Sequence, residues 1–247
     1  VSLMVHRYPD VLKDLIVKSI EPTGIHDAYR YLIQSEDHEK WKDQLSGDEL
    51  DLLVMIGNSP TPYHRFSGRA RYRAIILRLF EMGAIQMSGL TMSDAAHVVG
   101  LQDHWSSDGA RMALIISGRW NGLISRNQGR LEKELKDYAK KILEQTVLKS
   151  SKVILETLSG HTITKENHWV QAFFEEEGRL NQIEVQFKSN LPLVAVGGPA
   201  NTIYPEVGRR LATETVIPEF ASVANAVGAA SGSVKITASC EITNPES

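Results

Sequence analysis

The chain has 247 residues, an apolar fraction of 42% and a net charge of −3, with both signs spread along its length. That is enough for one large domain or two small ones with a full core, and it excludes a general electrostatic case for nucleic acid or an anionic membrane. Cys240 is the single cysteine, which excludes a disulfide framework or a thiolate metal cluster and fits a reducing, cytoplasmic setting.

No apolar run approaches the ~20 residues that span a bilayer. The first residues lack the apolar core and cleavage site of a signal peptide. Val1 to Val5 reads as a short strand, the last of a sheet whose other strands are missing. Pro9 suits a first helical turn, and Val11, Leu12, Leu15 and Ile16 recur at helical spacing until Pro22-Thr23-Gly24. His26 to Ser35 reads as a helix with Ala28, Tyr31 and Leu32 on one face. Ser46 to Ile56 is a clearer helix, opened by a Ser46/Glu49 capping box and ended by Asn58-Ser59-Pro60. Arg69 to Met82 follows, with Ile75, Ile76, Leu79 and Phe80 inward and Gly83 as its stop. Ala84 to Met87 is a short strand, and Thr91 caps the next helix with Asp94 at its third position.

This helix–turn–helix–strand order has a winged-helix look. Arg65, Arg69, Arg71, Arg73 and Arg78 load one helix and its approach with positive charge, as a DNA-reading helix would. A solvated helix face, or one docked on a partner domain, is the favoured reading, because the overall charge is negative and aromatic interleaving is poor. Trp105 to Trp120 contains a helix. Arg130 to Leu158 is the longest periodic segment, with Ser150-Ser151 as a candidate bend. Residues 159–170 form a polar loop, and 172–178, with Glu175-Glu176-Glu177, reads as a solvated turn with a helical one as the alternative. Ile183, Val185 and Phe187 alternate as a half-buried strand.

Leu193 to Val196 reads as a buried strand that ends in Gly197-Gly198-Pro199 and runs straight into a helix. A short strand, Glu214 to Ile217, then Pro218 and a small-residue helix complete the pattern. A strand, a glycine turn and a helix at the edge of an α/β sheet is where nucleotides tend to sit; the plainer reading is a tight turn that only glycine can make. There is no G-x-G-x-x-G and no G-x-x-x-x-G-K-[ST], so neither a Rossmann fingerprint nor a P-loop is present.

Residues 193–231, LVAVGGPANTIYPEVGRRLATETVIPEFASVANAVGAAS, resemble the end of the ATPase fold in the hydantoinase/oxoprolinase family, which shares the actin, sugar-kinase and Hsp70 ATPase fold. A separate stretch, Ser88-Gly89-Leu90-Thr91-Met92-Ser93-Asp94-Ala95-Ala96-His97-Val98-Val99-Gly100 followed by Trp105, is similar to the "glTpTDAlhvlG" stretch of the same family. The two lie in the family's order and cover about a quarter of the chain. The early D-x-G-G-T turn and the later acidic glycine turn of such ATPases are absent. With Val1 in place of an initiator Met and an end at Ser247, the expectation is a fragment that holds the adenosine side of the cleft, with the phosphate-handling carboxylates elsewhere.

The resulting expectation is an α/β class: part of an actin-like ATPase domain, formed by residues 1–20 and 151–247, with a largely helical, winged-helix-like insertion over 21–150. The resemblance implies ATP and Mg²⁺ as cofactors and a cyclic amide of the hydantoin or 5-oxoproline type as substrate. It implies a second subunit, or the rest of the chain, as partner. Related ATP-dependent carboxylases share the family. The chain alone is not expected to catalyse, and no catalytic residue is assigned. A sensor or chaperone-like ATPase of the same fold, and a DNA-binding or interaction module on the helical region, are the rivals.

Gly197, Gly198, Pro199 and Asn201 are the candidate adenosine contacts. Glu206 could reach a ribose hydroxyl, though a solvated carboxylate is favoured. Ala226, Gly228 and Ala229 are small, with close packing as the favoured cause. Thr91 and Asp94 are candidates for the substrate side, with helix capping favoured for both. The pairs His97/His104 and His161/His168 are each seven apart, without the i, i+4 spacing of a helical zinc pair, and no metal is assigned. Cys240, in an alternating strand from Val234 to Ile242, reads as an inert buried thiol.

Overall fold

The structure, a computed structural model, describes residues 1–21, 27–164, 168–175 and 178–232. The expected strand at Val234 to Ile242 and the helix break at 22–24 lie outside the described residues. The class is mixed α/β, dominated by helix.

Val1 to Val5 is not a strand. Ser2–Arg7 forms helix α1, because helical spacing puts Val1, Met4 and Val5 on one side, where they join Ala113 and Ile116 in a buried cluster. Helix α2 (Asp10–Ile20) follows, with Pro9 just before its first turn, and adds Val11 and Leu15 to that cluster.

Residues 27–35 also depart from the expectation. Tyr31–Gln34 is a strand, β1, not a helix. It is the central strand of a sheet and is covered on both faces. Tyr31 and Ile33 enter the cluster with α1 and α2. Leu32 points the other way, against α3 (Gly47–Ile56) through Leu52, Leu53 and Ile56. An unbroken apolar run reads equally well at helical or strand period until its two faces are known.

The β1 neighbours are β2 (Thr61–Pro62) and β3 (Ile85–Ser88), in the order β2-β1-β3, all antiparallel. The β1–β3 register runs from Tyr31 opposite Ser88 to Gln34 opposite Ile85. Between β2 and β3 lie α4 (His64–Ser67) and α5 (Ala70–Glu81). Ile76 and Leu79 of α5 pack on the α3 side of the sheet. Two arginines of α5 face α3 as well: Arg71 pairs with Asp48, and Arg78 reaches Glu49 at 3.1 Å.

Helices α6 (Met92–Val98), α7 (Ser107–Trp120) and α8 (Gln128–Ser159) build the next layer. Ala95, Leu114, Ile115, Leu135 and Ala139 interlock at its centre. Helix α8 runs unbroken through Ser150-Ser151. At 1.5 Å per residue it extends about 48 Å. Asn127 caps its start by accepting from the Gly129 N–H, and Gly160 ends it in the left-handed region.

The polar loop expected over 159–170 ends at helix α9 (His168–Glu175), and the stretch from Ala172 takes the helical form allowed for it but is not solvated throughout. Ala172 and Phe173 are buried there, and Phe173 meets Phe187 edge-on at 4.8 Å. The strand expected over 183–187 shrinks to Ile183–Glu184 (β5), paired with Arg179–Leu180 (β4). Val185 and Phe187 instead fold back onto α8 and α10 (Tyr204–Arg210). The last elements are β6 (Leu193–Val194), β7 (Thr215–Val216) and α11 (Ala224–Ser231). Close packing does not explain the small residues of α11. Ala226, Gly228 and Ala229 are exposed, and a Cβ added at Gly228 would meet nothing within 4 Å. Among the described residues no helix is long and apolar enough to cross a membrane.

Candidate functional site

Two segments singled out from sequence, roughly a hundred residues apart, sit next to each other. The first is the glycine turn. Strands β6 and β7 pair in parallel, Leu193 opposite Thr215 and Val194 opposite Val216. The Leu193 N–H donates to the Glu214 carbonyl at 2.8 Å, and the Ala195 N–H to that of Val216 at 2.9 Å. Because α10 connects them, β6–α10–β7 is a βαβ unit, and the turn lies at the carboxyl end of its first strand. That is the end where α/β sheets receive ligands.

Gly197 takes φ +89°, a conformation that suits glycine. Its N–H donates to the Ala221 carbonyl at 2.6 Å and its carbonyl accepts from the Ala200 N–H at 3.1 Å. Pro199 has no N–H, and its carbonyl accepts from Thr202 and Ile203. The N–H groups of Gly197, Ala200, Thr202 and Ile203 are thus engaged within the protein, whereas those of the exposed Gly198 and Asn201 have no hydrogen bond among the described residues. What the turn offers is bare backbone. A Cβ at Gly198 would meet nothing within 4 Å, so the peptide plane there is open to a flat ring. Asn201 is exposed beside it.

Behind the turn the packing is tight. A Cβ at Gly208 would lie 1.8 Å from Thr215 Oγ1, so glycine sets how closely α10 approaches β7. Glu206 pairs with Arg209, whose Nε donates to Oε2 at 2.8 Å. That hydrogen bond holds the Glu206 carboxyl below the usual carboxylate range.

The second segment starts at β3 and runs through α6 to Trp105. Thr91 and Asp94 form a capping box at the start of α6. Asp94 is fully buried. Its Oδ2 accepts from the Thr91 N–H at 2.8 Å, the Thr91 hydroxyl at 3.0 Å and the Val1 nitrogen at 3.0 Å; Oδ1 accepts from the Ser2 N–H at 2.7 Å. Burial pushes this carboxyl up, but the charge on the Val1 nitrogen and the two backbone N–H donors outweigh it and hold the group below its ordinary value. Asp94 thus joins α6 to α1, whereas Thr91 is exposed at the rim of a cleft.

His97 is occupied on both ring nitrogens. Its Nδ1 lies 2.6 Å from the Ser93 carbonyl and its Nε2 accepts the Trp105 N–H at 3.1 Å, an arrangement that assigns the proton to Nδ1. The His97 ring stacks on Trp105 at 5.9 Å, and His104 lies edge-on to the indole at 4.5 Å. The histidines at 97 and 104 thus meet, 5.1 Å apart, as supports for Trp105. Among the described residues no group of three His, Cys, Asp or Glu could hold a metal.

Two contacts join the segments. Gln102 Nε2 donates to Thr202 Oγ1 at 2.7 Å, just after the glycine turn, and Met92 packs on the cluster of Ile203, Val207 and Leu211. Sequence reasoning misses Gln102, because a single amide in a loop carries no pattern. It also misses the cleft beyond Thr91, about 360 Å³, whose walls include Arg7, Gln34, Glu36, Ser88 and Trp105. That volume lies in the range of small-molecule sites. Comparison of the chain with protein-family models, with curated proteins and with solved structures gives no match in any of the three.

Proposed function

We propose that this chain carries the adenosine-side wall of an ATP-dependent hydrolase that opens cyclic amides, resembling the hydantoinase/oxoprolinase family, with its ATPase part of the actin-like kind. The observation that carries the reading is the βαβ unit β6–α10–β7, with an outward-facing Gly198 at the end of its first strand. The adjacency of the Thr91 segment, through Gln102 and Thr202, supports it.

The residues fit a nucleoside. Gly198 leaves room for a purine face, Pro199 stiffens the approach, and Asn201 supplies an exposed amide for a polar contact. The resemblance leaves the phosphates and Mg²⁺ to carboxylates of another segment or of a partner protein. Bound Mg-ATP would supply the phosphoryl group that turns a resistant amide oxygen into a leaving group. The role of this chain is to position the nucleoside, and by itself it binds without turnover.

Calorimetric titration of Mg-ATP and Mg-ADP into the protein and into Gly198→Trp tests this. Gly198 faces open space, so the indole leaves the melting temperature unchanged while it blocks the turn. The expected result is nucleotide affinity reduced at least ~10-fold by the substitution. Equal binding by both proteins, or none by the folded wild type, counts against the reading.

A further inference from the structure

The cleft between α1 and β3 carries a charge pattern that the nucleotide reading does not use. Arg7 closes α1 and Glu36 lies just beyond the end of β1, and both line the same cavity of about 360 Å³. Both side chains are exposed. Neither forms an ion pair within 4 Å among the described residues, with the other or with a third group. The acids next to Glu36 are engaged differently: Asp37 pairs with Lys40, and Glu39 with Lys42. The cleft therefore presents one cation and one anion that do not neutralise each other. Between them the wall is mixed, with Met4, Met87 and the indole of Trp105 beside the hydroxyls of Ser88 and Thr91.

We propose that this cleft binds a small zwitterion of the α-amino acid class. A guanidinium offers a planar, two-pronged donor set for a carboxylate. A carboxylate accepts one or two of the three N–H donors of an ammonium group. A ligand that carries both charges on one carbon skeleton satisfies Arg7 and Glu36 together, whereas a simple anion or cation pairs with only one of them. The thioethers of Met4 and Met87 form an adaptable apolar wall for its side chain. Trp105 is held in place by the stacked His97 and the edge-on His104, so that part of the wall is preorganised. The site is separate from the glycine turn, and the proposal does not depend on nucleotide binding there.

The test uses the twenty L-amino acids as probes, by ligand-observed NMR with calorimetry on those that bind. Each binder is compared with its N-acetyl derivative and its methyl ester. At least one amino acid is expected to bind. Arg7→Gln, Glu36→Gln, N-acetylation and esterification are each expected to weaken it at least ~10-fold, as loss of one charged hydrogen-bonded contact does. Both substituted positions are exposed, so unchanged melting temperatures will show that the variants fold. Gly198→Trp is expected to bind the amino acid as wild type does, which keeps this site distinct from the nucleotide site. The proposal is overturned if no amino acid binds the folded protein. It is also overturned if the N-acetyl derivative or the methyl ester binds as well as its parent, or if both variants bind as wild type.

Discussion

Asp94 shows how one side chain can join two parts of the chain. Its carboxylate accepts from the backbone of Thr91 on its own helix and from Ser2 on α1, in a fully buried position. A capping acid is legible in the sequence, since Thr91-Met92-Ser93-Asp94 has the box spacing. The connection to Ser2, 92 residues away, is not, because nothing in the local pattern encodes it. Asp94→Asn keeps the size but turns one acceptor into a donor that faces N–H groups. A loss of about 2–4 kcal/mol is expected, read from urea midpoints at constant slope. The folded-state pKa of Asp94 is lowered, and so is that of Glu49 in the other capping box. Both stabilise the fold above the ordinary carboxylate pKa, and both lose that contribution as pH falls through the ordinary range toward their lowered values. The melting temperature should therefore drop on acidification below about pH 5. Asp94→Asn should flatten that drop, and an unchanged acid limb in the variant would refute this account of Asp94.

At the scale of elements, what can be read depends on whether one partner or two cover a segment. The capping boxes of α3 and α6 and the long periodic run of α8 locate these helices closely. Strands β3, β6 and β7 are also legible from glycine and proline punctuation, although the strand expected to be buried over Leu193 to Val196 is only Leu193–Val194, with Val194 and Val196 exposed. Segments covered from two sides mislead. Tyr31, Leu32 and Ile33 are all buried, but toward different clusters, so their apolar run hides a period of two. Val1 to Val5 passes for a strand because Ser2 and Leu3 leave its helical stripe only three residues long. The glycine turn is visible as a turn, yet its division of labour is not. Gly197 answers to backbone conformation, Gly198 to open space, and Gly208 to the approach of β7. These differences predict an ordered series. Gly198→Ala should leave stability within about 0.5 kcal/mol of wild type, and Gly197→Ala should cost about 1 kcal/mol because of its positive φ. Gly208→Ala should cost about 1–3 kcal/mol, because its Cβ would collide with Thr215. Chemical denaturation of the three variants checks the order; equal effects at 198 and 208 would mean that α10 does not rest on β7 as described.

Across the whole molecule, α8 is the element that the other layers share. Its first half packs Leu135 and Ala139 against α6 and α7, and Ser117 and Tyr138 join hydroxyls at 2.9 Å. Its second half packs Val147, Ile154 and Leu155 against α9 and α10. Helix α10 and the glycine turn therefore rest on the far end of a helix whose near end is fixed in the helical layer. The remaining link from α6 and its following loop is slight: Met92 in the α10 cluster and the Gln102–Thr202 hydrogen bond. Gln145 is exposed and lies between the two packed halves of α8. Proline there removes a helical hydrogen bond and clashes with the preceding turn, at a cost of about 3 kcal/mol, without disturbing either cluster directly. If α8 transmits order along its length, Gln145→Pro should strip hydrogen-exchange protection from residues 146–159 and 203–216. Protection over 107–120 should survive, because α7 is also held by α1, α2 and α6. Gln145→Ala should leave the whole profile unchanged. Uniform loss of protection in the proline variant would show one cooperative body instead, whereas retained protection over 203–216 would show that the βαβ unit stands without α8.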